Sequence, residues 1–460
     1  MTIYAPELDG GGGPLYLELA DAIERDVAAG TLPPGMRLPT HRDLADALAI
    51  NVSTVTRGYR EAEKRGLVSA TVGRGTFVSS DAATATAMVA FEPAAAGTIE
   101  MGLASPLHHL DPDLTDGFRR ITRRKAPESF MRYVDPRGLP EHREAGAAWA
   151  ARYGLKTDGS SVIVCAGSQH ALTCCLTGLF RPGDRIAADA LTYPGIKTLA
   201  AMLGLRLVPV AMDGQGMRPE SLDAACRRDA VKGLYLMPGL HNPTTVTMPD
   251  DRRDAIAALA RRHDLTIVED DAYALTASPL PAPVAARAPE RSAFVAGLSK
   301  AVAAGLRVAF LAAPRPLLQP LAQSVLNTIW MAPPLNVELA AAWINDNTAD
   351  RTVQRKRAEA ARRYMLACDA FENLRFRGKS GSFFLWLDLP EPWTGQAFEA
   401  RARQMGVNVF GAQRFAVGET PPPRAARIAL SGETDLERFR RGLAVLAAIL
   451  RGDCASPAPS

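Results

Sequence analysis

Two neighbouring stretches decide how this chain reads: LTIVEDDAY at 265–273 and SAFVAGLSKAVAAGLR at 292–307. Each begins with an apolar run of strand length and ends on charge. A carboxylate such as Asp270 at the end of a buried strand is costly unless a cationic or protonated group pairs with it. A protonated pyridine nitrogen is one such partner, and the carboxylate then maintains that ring as an electron sink. Asp270 can equally cap the following segment together with Glu269 and Asp271. Tyr273, three residues on, offers a hydroxyl to a ring oxygen. Lys300 follows an apolar strand, where a lysine can lose its proton and form a Schiff base, although a lysine at a loop start is more often simply solvated. Arg307, seven residues beyond, can clamp a phosphate with its forked guanidinium.

Outward from these stretches the texture is regular. SVIVCAG, RIAADA, RLVPVAM, KGLYLMP, LTIVEDD, SAFVAGL and LRVAFLAAP alternate with helical patterns from about residue 99. That predicts an α/β domain with a mostly parallel sheet covered on both faces. Ala166-Gly167-Ser168-Gln169-His170 follows one strand and opens a helix, a ready phosphate cradle. A basic helix at 351–370, then GSFFLWLDLP, ARIALSG and a closing helix from Asp435, predict a smaller C-terminal α+β lobe.

Residues 14–78 are a different unit. Leu15, Leu19, Ile23 and Val27 form one apolar stripe, Thr40 can cap a short second helix, and Asn51 or Ser53 can cap a third. LVSAT and GTFVS follow as a hairpin around Gly73-Arg74-Gly75. Three helices and a two-stranded wing make a winged helix-turn-helix whose third helix offers Ser53, Thr54 and Arg57 to DNA. Residues 14–36 carry Glu18, Asp21, Glu24 and Asp26 against Arg25, a net of −3. Residues 37–80 carry seven Arg or Lys against four Asp or Glu, a net of +3. A solvated basic helix face would show the same charge.

The run GTLPPGMRLPTHRDLA and the wing GRGTFV resemble the GntR-type winged-helix domain across 14–78. The resemblance implies that Arg42, Ser53 and Thr54 contact DNA, with Gly73 and Arg74 near the minor groove. It departs at Val52, where many relatives carry an arginine. From about 99 to 450, YVDPRGLPEHREAGAAW, AGSQHAL, TYPG, HNPT, EDDAY, SKAVAAGLR and ARIALSG resemble fold-type-I pyridoxal phosphate enzymes of the aminotransferase superfamily. That resemblance implies pyridoxal 5'-phosphate as cofactor, with Lys300 bonded covalently to it and Asp270 on its pyridine nitrogen. Asn242 and Tyr273 would bond the ring hydroxyl, Tyr193 would stack on the ring, and Ser168, Gln169 and Arg307 would hold the phosphate. Tyr133 would reach the phosphate of a partner subunit, and Arg427 would bind a substrate carboxylate. A cis Asn242–Pro243 bond is expected at such a site. Thr245, Gly297 and Ala304 stand where the family has a glycine, a hydroxyl residue and a proline.

Together the two units resemble the MocR subfamily of bacterial regulators. The expected division is a reader at 14–78, a linker at 79–98, a large domain at 99–345 and a small lobe at 346–452. The implied function is a DNA-binding regulator that senses pyridoxal phosphate or an amino-acid or amine effector, as a head-to-tail homodimer. The alternative is an active aminotransferase with an accessory DNA-binding domain.

Composition sets the outer bounds. A chain of 460 residues with 47% hydrophobic and 22% charged residues predicts two to four globular domains and excludes a collagen-like or wholly disordered chain. The net charge of +4 is too balanced to name a partner. The six cysteines include no Cys-x-x-Cys, no zinc spacing is present, and Cys174-Cys175 read as core without a redox role. No signal-peptide pattern or membrane span is evident, so a reduced cytoplasmic protein without a metal is expected.

Overall fold

The computed structural model describes residues 4–8, 13–28, 31–32, 36–65, 67–71, 75–78, 97–277, 280–418 and 420–452. The first unit contains helices α1 (Leu15–Ala28), α2 (His41–Leu48) and α3 (Val52–Lys64), then strands β1 (Val68–Thr71) and β2 (Gly75–Val78), paired antiparallel. Leu19, Ile23 and Val27 of the α1 stripe are buried with Leu44, Val55 and Tyr59. α1 and α3 approach closely at Gly58, where an added Cβ would lie 2.7 Å from Leu19 Cδ2. Both expected caps form: Thr40 Oγ1 accepts from Asp43 N at 3.2 Å, and Asn51 Oδ1 from Ser53 N at 2.8 Å. Ala49, in the turn between α2 and α3, is left-handed with φ 51°. Most of the expected linker, 79–96, lies outside the described residues.

All seven strand patterns of the second unit join one sheet. Its strands are β3 (Val162–Cys165), β4 (Arg185–Asp189), β5 (Arg206–Val210), β6 (Gly233–Leu236), β7 (Thr266–Asp270), β8 (Ser292–Gly297) and β9 (Ala309–Ala312). Their spatial order is β3-β9-β8-β7-β6-β4-β5, parallel throughout except for β9, which runs antiparallel to both neighbours. Alternate residues feed opposite faces. Val162 and Val164 join Trp149, Phe294, Phe310 and Trp343 in one core, whereas Ile163 and Cys165 join Leu172, Tyr235, Val295 and Leu321 in the other. Burial on both faces is why these strands read as continuous apolar runs.

The small lobe is a four-stranded antiparallel sheet in the order 376–377, 384–388, 425–429, 410–411. Helices Thr348–Ala370, Gly395–Gln404 and Leu436–Arg451 accompany it. Residues 99–101, which a division at 345/346 assigns to the large domain, belong physically to this lobe. Ile99 and Glu100 pair in parallel with Val407 and Asn408, and Ile99 and Met101 sit in the lobe's core. A dipeptide strand so far from its partner in sequence leaves no periodic signal. No helix among the described residues is long and apolar enough to cross a membrane.

Candidate functional site

The parallel strands end on one side of the sheet, where open α/β sheets bind ligands. There a cavity of about 280 Å³ is lined by Ser168, Gln169, Tyr193, Asn242, Asp270, Tyr273, Lys300, Arg307 and Arg427. These residues come from β7, from the segments after β3, β4, β6, β7 and β8, and from strand 425–429 of the small lobe. Every large-domain candidate except Tyr133 therefore meets in one place, together with Arg427.

Asp270 ends β7 and is buried. Its Oδ2 accepts from Tyr235 Oη at 3.2 Å, while its Oδ1 has no hydrogen-bond partner among the described residues. Burial pushes its carboxyl up to about 7, opposed by the Tyr235 hydroxyl and reinforced by Asp271. Glu269 and Asp271 are committed elsewhere. Glu269 accepts from the backbone of Val284 and Ala285, and Asp271 from Gly239 N. Of the three acids, Asp270 is the one that lines the cavity.

Lys300 donates from Nζ to Ala104 O at 2.7 Å and lies 5.3 Å from the Tyr273 ring centroid. Withdrawal from water, then the guanidiniums of Arg427 and Arg307, bring its ammonium down to about 8. Arg427 is buried. It donates from Nη1 to Asn242 Oδ1 and from Nη2 to Gly102 O, both at 2.7 Å, and its Nε is unpartnered among the described residues. Tyr193 Oη donates to Gln169 Oε1 at 3.2 Å.

The cradle is built by close approach. Gly167 has φ 88°, and a Cβ there would lie 2.5 Å from Arg307 Nη2. At Gly297, where a hydroxyl side chain was the family expectation, a Cβ would lie 2.1 Å from Ser168 Oγ, so Ser168 already fills that space. Arg307 adopts φ 48° and bonds Ser299 Oγ at 3.0 Å. Thr245, in place of the expected glycine, is held at φ 62°, a conformation costing a β-branched residue roughly 1–2 kcal/mol. Asn242–Pro243 is cis.

An unpaired buried carboxylate oxygen, a cationic cradle walled by glycines and a lysine of lowered basicity fit pyridoxal phosphate, its ring nitrogen, phosphate and aldehyde respectively. Sequence reasoning missed Tyr235 and Ala104. Tyr235 sits in a uniformly apolar strand, and only the register Val268↔Tyr235 on β6 brings it beside Asp270. Tyr133 lies apart from the cavity, 81% exposed, its ring 5.9 Å from that of Trp330.

In the reader, Ser53, Arg57 and Arg42 are exposed and Thr54 is half-buried. The Arg57 guanidinium stacks 4.0 Å from the centroid of Tyr16. Val52 is 40% exposed at the start of α3. Arg65, counted with the basic half of the unit, turns back to Asp21 at 2.6 Å and Glu24 at 2.9 Å of acidic α1. An open hollow of about 360 Å³ lies beside Arg37, Thr40, His41, Arg42 and Gly75. Gly73 and Arg74 lie outside the described residues.

Comparison with known proteins agrees with both units. Residues 15–78 match the bacterial regulatory proteins of the gntR family, and residues 106–444 match aminotransferase class I and II. The chain is 36% identical over 448 residues to the uncharacterized HTH-type transcriptional regulator YdeF of Bacillus subtilis, covering 97% of this chain and 96% of that one. It is 29% identical over 307 residues to PtsJ of Salmonella typhimurium, a vitamin B6 salvage pathway transcriptional repressor, covering 64% of this chain and 66% of that one. The structure superposes on an archaeal alanine:glyoxylate aminotransferase with a TM-score of 0.72 at 23% identity, covering 82% of this chain and 96% of that one, which establishes the fold. With a gntR-family reader joined to a pyridoxal phosphate domain of aminotransferase class I and II, the chain belongs to the MocR-type transcriptional regulators.

Proposed function

We propose that this regulator senses pyridoxal phosphate, or an amine condensing with it, and converts occupancy of the cavity into a change in how paired readers engage an operator. The observation that carries this reading is the meeting of Lys300, Asp270 and Arg427 in one cavity on a chain that also carries a DNA reader. Full-length similarity to regulators favours it over an aminotransferase with an accessory domain. PtsJ, whose name ties it to vitamin B6, points to the same effector chemistry.

Bound pyridoxal phosphate supplies an electrophilic aldehyde carbon and an electron-withdrawing ring. The protein's groups do the rest. Ser168, Gln169 and Arg307 hold the phosphate, and Asp270 keeps the proton on the ring nitrogen. Asn242 and Tyr273 would hold the ring oxygen, Tyr193 would pack against the ring, and Lys300 Nζ would offer the amine. Arg427, facing the cavity between Asn242 and Gly102, suits an effector that carries a carboxylate. A head-to-tail homodimer fits the exposed Met131, Tyr133 and Trp330, an aromatic and apolar surface from which Tyr133 would reach a partner subunit's phosphate. For sensing, the effector must bind one arrangement of the dimer better than another, because equal affinity shifts nothing. The division into reader, linker at 79–98, large domain and small lobe belongs to this reading.

Footprinting upstream of the neighbouring operon, with and without cofactor and a panel of amino acids, tests it. Protection that changes with cofactor or one amine supports sensing. Rapid multiple turnover of an amino donor with a 2-oxo acid, without a footprint, overturns it. In the reader, Arg42→Ala is expected to weaken operator and nonspecific DNA alike and to lower the slope of log affinity against log salt by about 1, as loss of one phosphate contact does. Anisotropy titrations at several salt concentrations read this, and an unchanged slope removes Arg42 from the interface.

The lowered basicity of Lys300 makes a further prediction. Only the neutral amine has a lone pair, so the rate of colour formation with added pyridoxal phosphate should rise with pH and level off above about 8. Arg427→Ala removes a neighbouring positive charge that disfavours the ammonium, so its midpoint should move upward. Stopped-flow absorbance from about pH 6 to 10 follows this, and a wild-type midpoint at the ordinary lysine value contradicts it.

A further inference from the structure

Beside the phosphate cradle, at the end of β3 and in the helix that follows it, lies a group the site does not use. Cys165 ends β3, and Cys174 sits in the second turn of the helix Ser168–Leu179. Both are fully buried, and with His170 their ligating atoms all lie within 4.8 Å of one another. Residues 166–169, the cradle itself, lie between the two cysteines in sequence.

The hydrogen bonds select the tautomer of the imidazole. Ala166 N–H donates to His170 Nδ1 at 3.0 Å, so Nδ1 is the bare nitrogen and Nε2 carries the hydrogen. Thr328 Oγ1 gives its own hydrogen to Ser324 O at 2.7 Å and therefore accepts from His170 Nε2, also at 2.7 Å. The same Nε2–H faces Cys174 Sγ at 3.3 Å. An imidazole in this tautomer has no lone pair to give a metal on its thiol side. It is instead placed to stabilise a thiolate. The Cys165 thiol and then His170 hold Cys174 down at about 6, while Cys165 is pushed well up by giving its hydrogen toward Cys174 and by burial. Cys175, which burial also pushes up, lacks this arrangement. A thiolate beside a protonated thiol is the pairing that oxidises to a disulfide. Between these thiols and solvent lie half-buried His170 and exposed Thr328.

We propose that Cys165 and Cys174 form a reversible disulfide, a redox site beside the phosphate cradle. The oxidant is a peroxide. The Cys174 thiolate attacks one peroxide oxygen and the O–O bond breaks, leaving a sulfenic acid and, after protonation, one water. Cys165 sulfur then attacks Cys174 sulfur, its proton leaving with the hydroxyl as a second water. Two thiols lose two electrons and one peroxide gains them. Reduction by a dithiol reverses the change. Drawing the second turn of the helix onto the strand end moves Ser168 and Gln169, so oxidation should weaken phosphate binding. This last effect rests on the cofactor reading, whereas the thiol chemistry does not.

The test uses the full chain treated with hydrogen peroxide, unfolded with iodoacetamide present and cut with trypsin. Cys165, Cys174 and Cys175 fall in one tryptic peptide, 157–185, because trypsin does not cut the Arg181–Pro182 bond. Oxidation should leave one alkylated cysteine in that peptide instead of three, and dithiothreitol should restore all three. Cys175→Ala should still form the bond, and Cys174→Ala should not. Cys165→Ala should stop at a sulfenic acid on Cys174 that dimedone traps. Should a buried alanine variant fail to fold, the wild-type peptide fragmented between residues 174 and 175 still identifies the bonded pair. Three alkylated cysteines after peroxide, oxidation confined to Cys226 or Cys368, or stoichiometric zinc in the untreated protein would each overturn the proposal. Oxidised protein should bind pyridoxal phosphate about tenfold more weakly. A disulfide with unchanged affinity would remove the link to the cradle.

Discussion

Lys300→Ala is expected to leave a folded protein that takes up no covalently held cofactor. Wild-type chain incubated with pyridoxal phosphate and treated with borohydride should gain one cofactor mass on the peptide that contains Lys300, whereas the variant should gain none. The visible absorbance retained after gel filtration should vanish with it. The physical reason is local. Among the described residues Lys300 is the one lysine lining the cavity, and its lowered basicity makes its lone pair available near neutral pH. The variant loses methylenes from a cavity wall rather than from either sheet core, so its thermal transition should stay close to that of the wild-type chain without cofactor. A variant that keeps its colour after gel filtration would move the covalent site elsewhere. If the wild-type protein itself stays colourless, the sensing proposal fails.

Asp270→Asn is expected to act in opposite directions on the empty and loaded protein. In the empty protein the carboxyl is buried and raised to about 7, above its unfolded value near 3.9. The folded state therefore holds a proton that the unfolded state releases, and stability falls as pH rises between those two values. A neutral amide removes that penalty, so the variant should be more stable than the wild type at pH 8 by on the order of a few kcal/mol, and no more stable at pH 4. With cofactor present the order reverses. The ring nitrogen loses its carboxylate, and breaking a buried charge pair costs about 2–5 kcal/mol, a fall in affinity of at least about thirtyfold. Melting curves at the two pH values, with and without pyridoxal phosphate, measure both effects. Equal cofactor affinities would show that Asp270 faces no ring nitrogen, returning it to the capping role open to it in the sequence.

These predictions rest on residues of unequal visibility. Lys300, Asp270 and Arg307 stand at strand ends or just past a short turn, and such ends are visible wherever an apolar run meets charge. The reader was equally legible, because its caps, its left-handed turn at Ala49 and its wing are local events within a few residues. The overall charge was not informative. Arg65 illustrates why: it is basic in sequence, yet it is spent on Asp21 and Glu24 of α1.

By itself, then, the chain's sequence determined the alternation of elements and the two-unit plan, which depend on short-range pattern, and its motifs named the polar groups that line one cavity. What tertiary structure alone decided depends on register and long-range pairing. The antiparallel insertion of β9, the return of residues 99–101 to the small lobe, Tyr235 beside Asp270 and Ala104 beneath Lys300 are all of this kind. So is the packing of His170 between Ala166, Thr328 and Cys174, which sets its tautomer. None of these partners is a sequence neighbour of its mate except within that single turn of helix. A chain with apolar residues on both faces of every strand leaves many strand orders equally patterned, and only the packed sheet chooses among them.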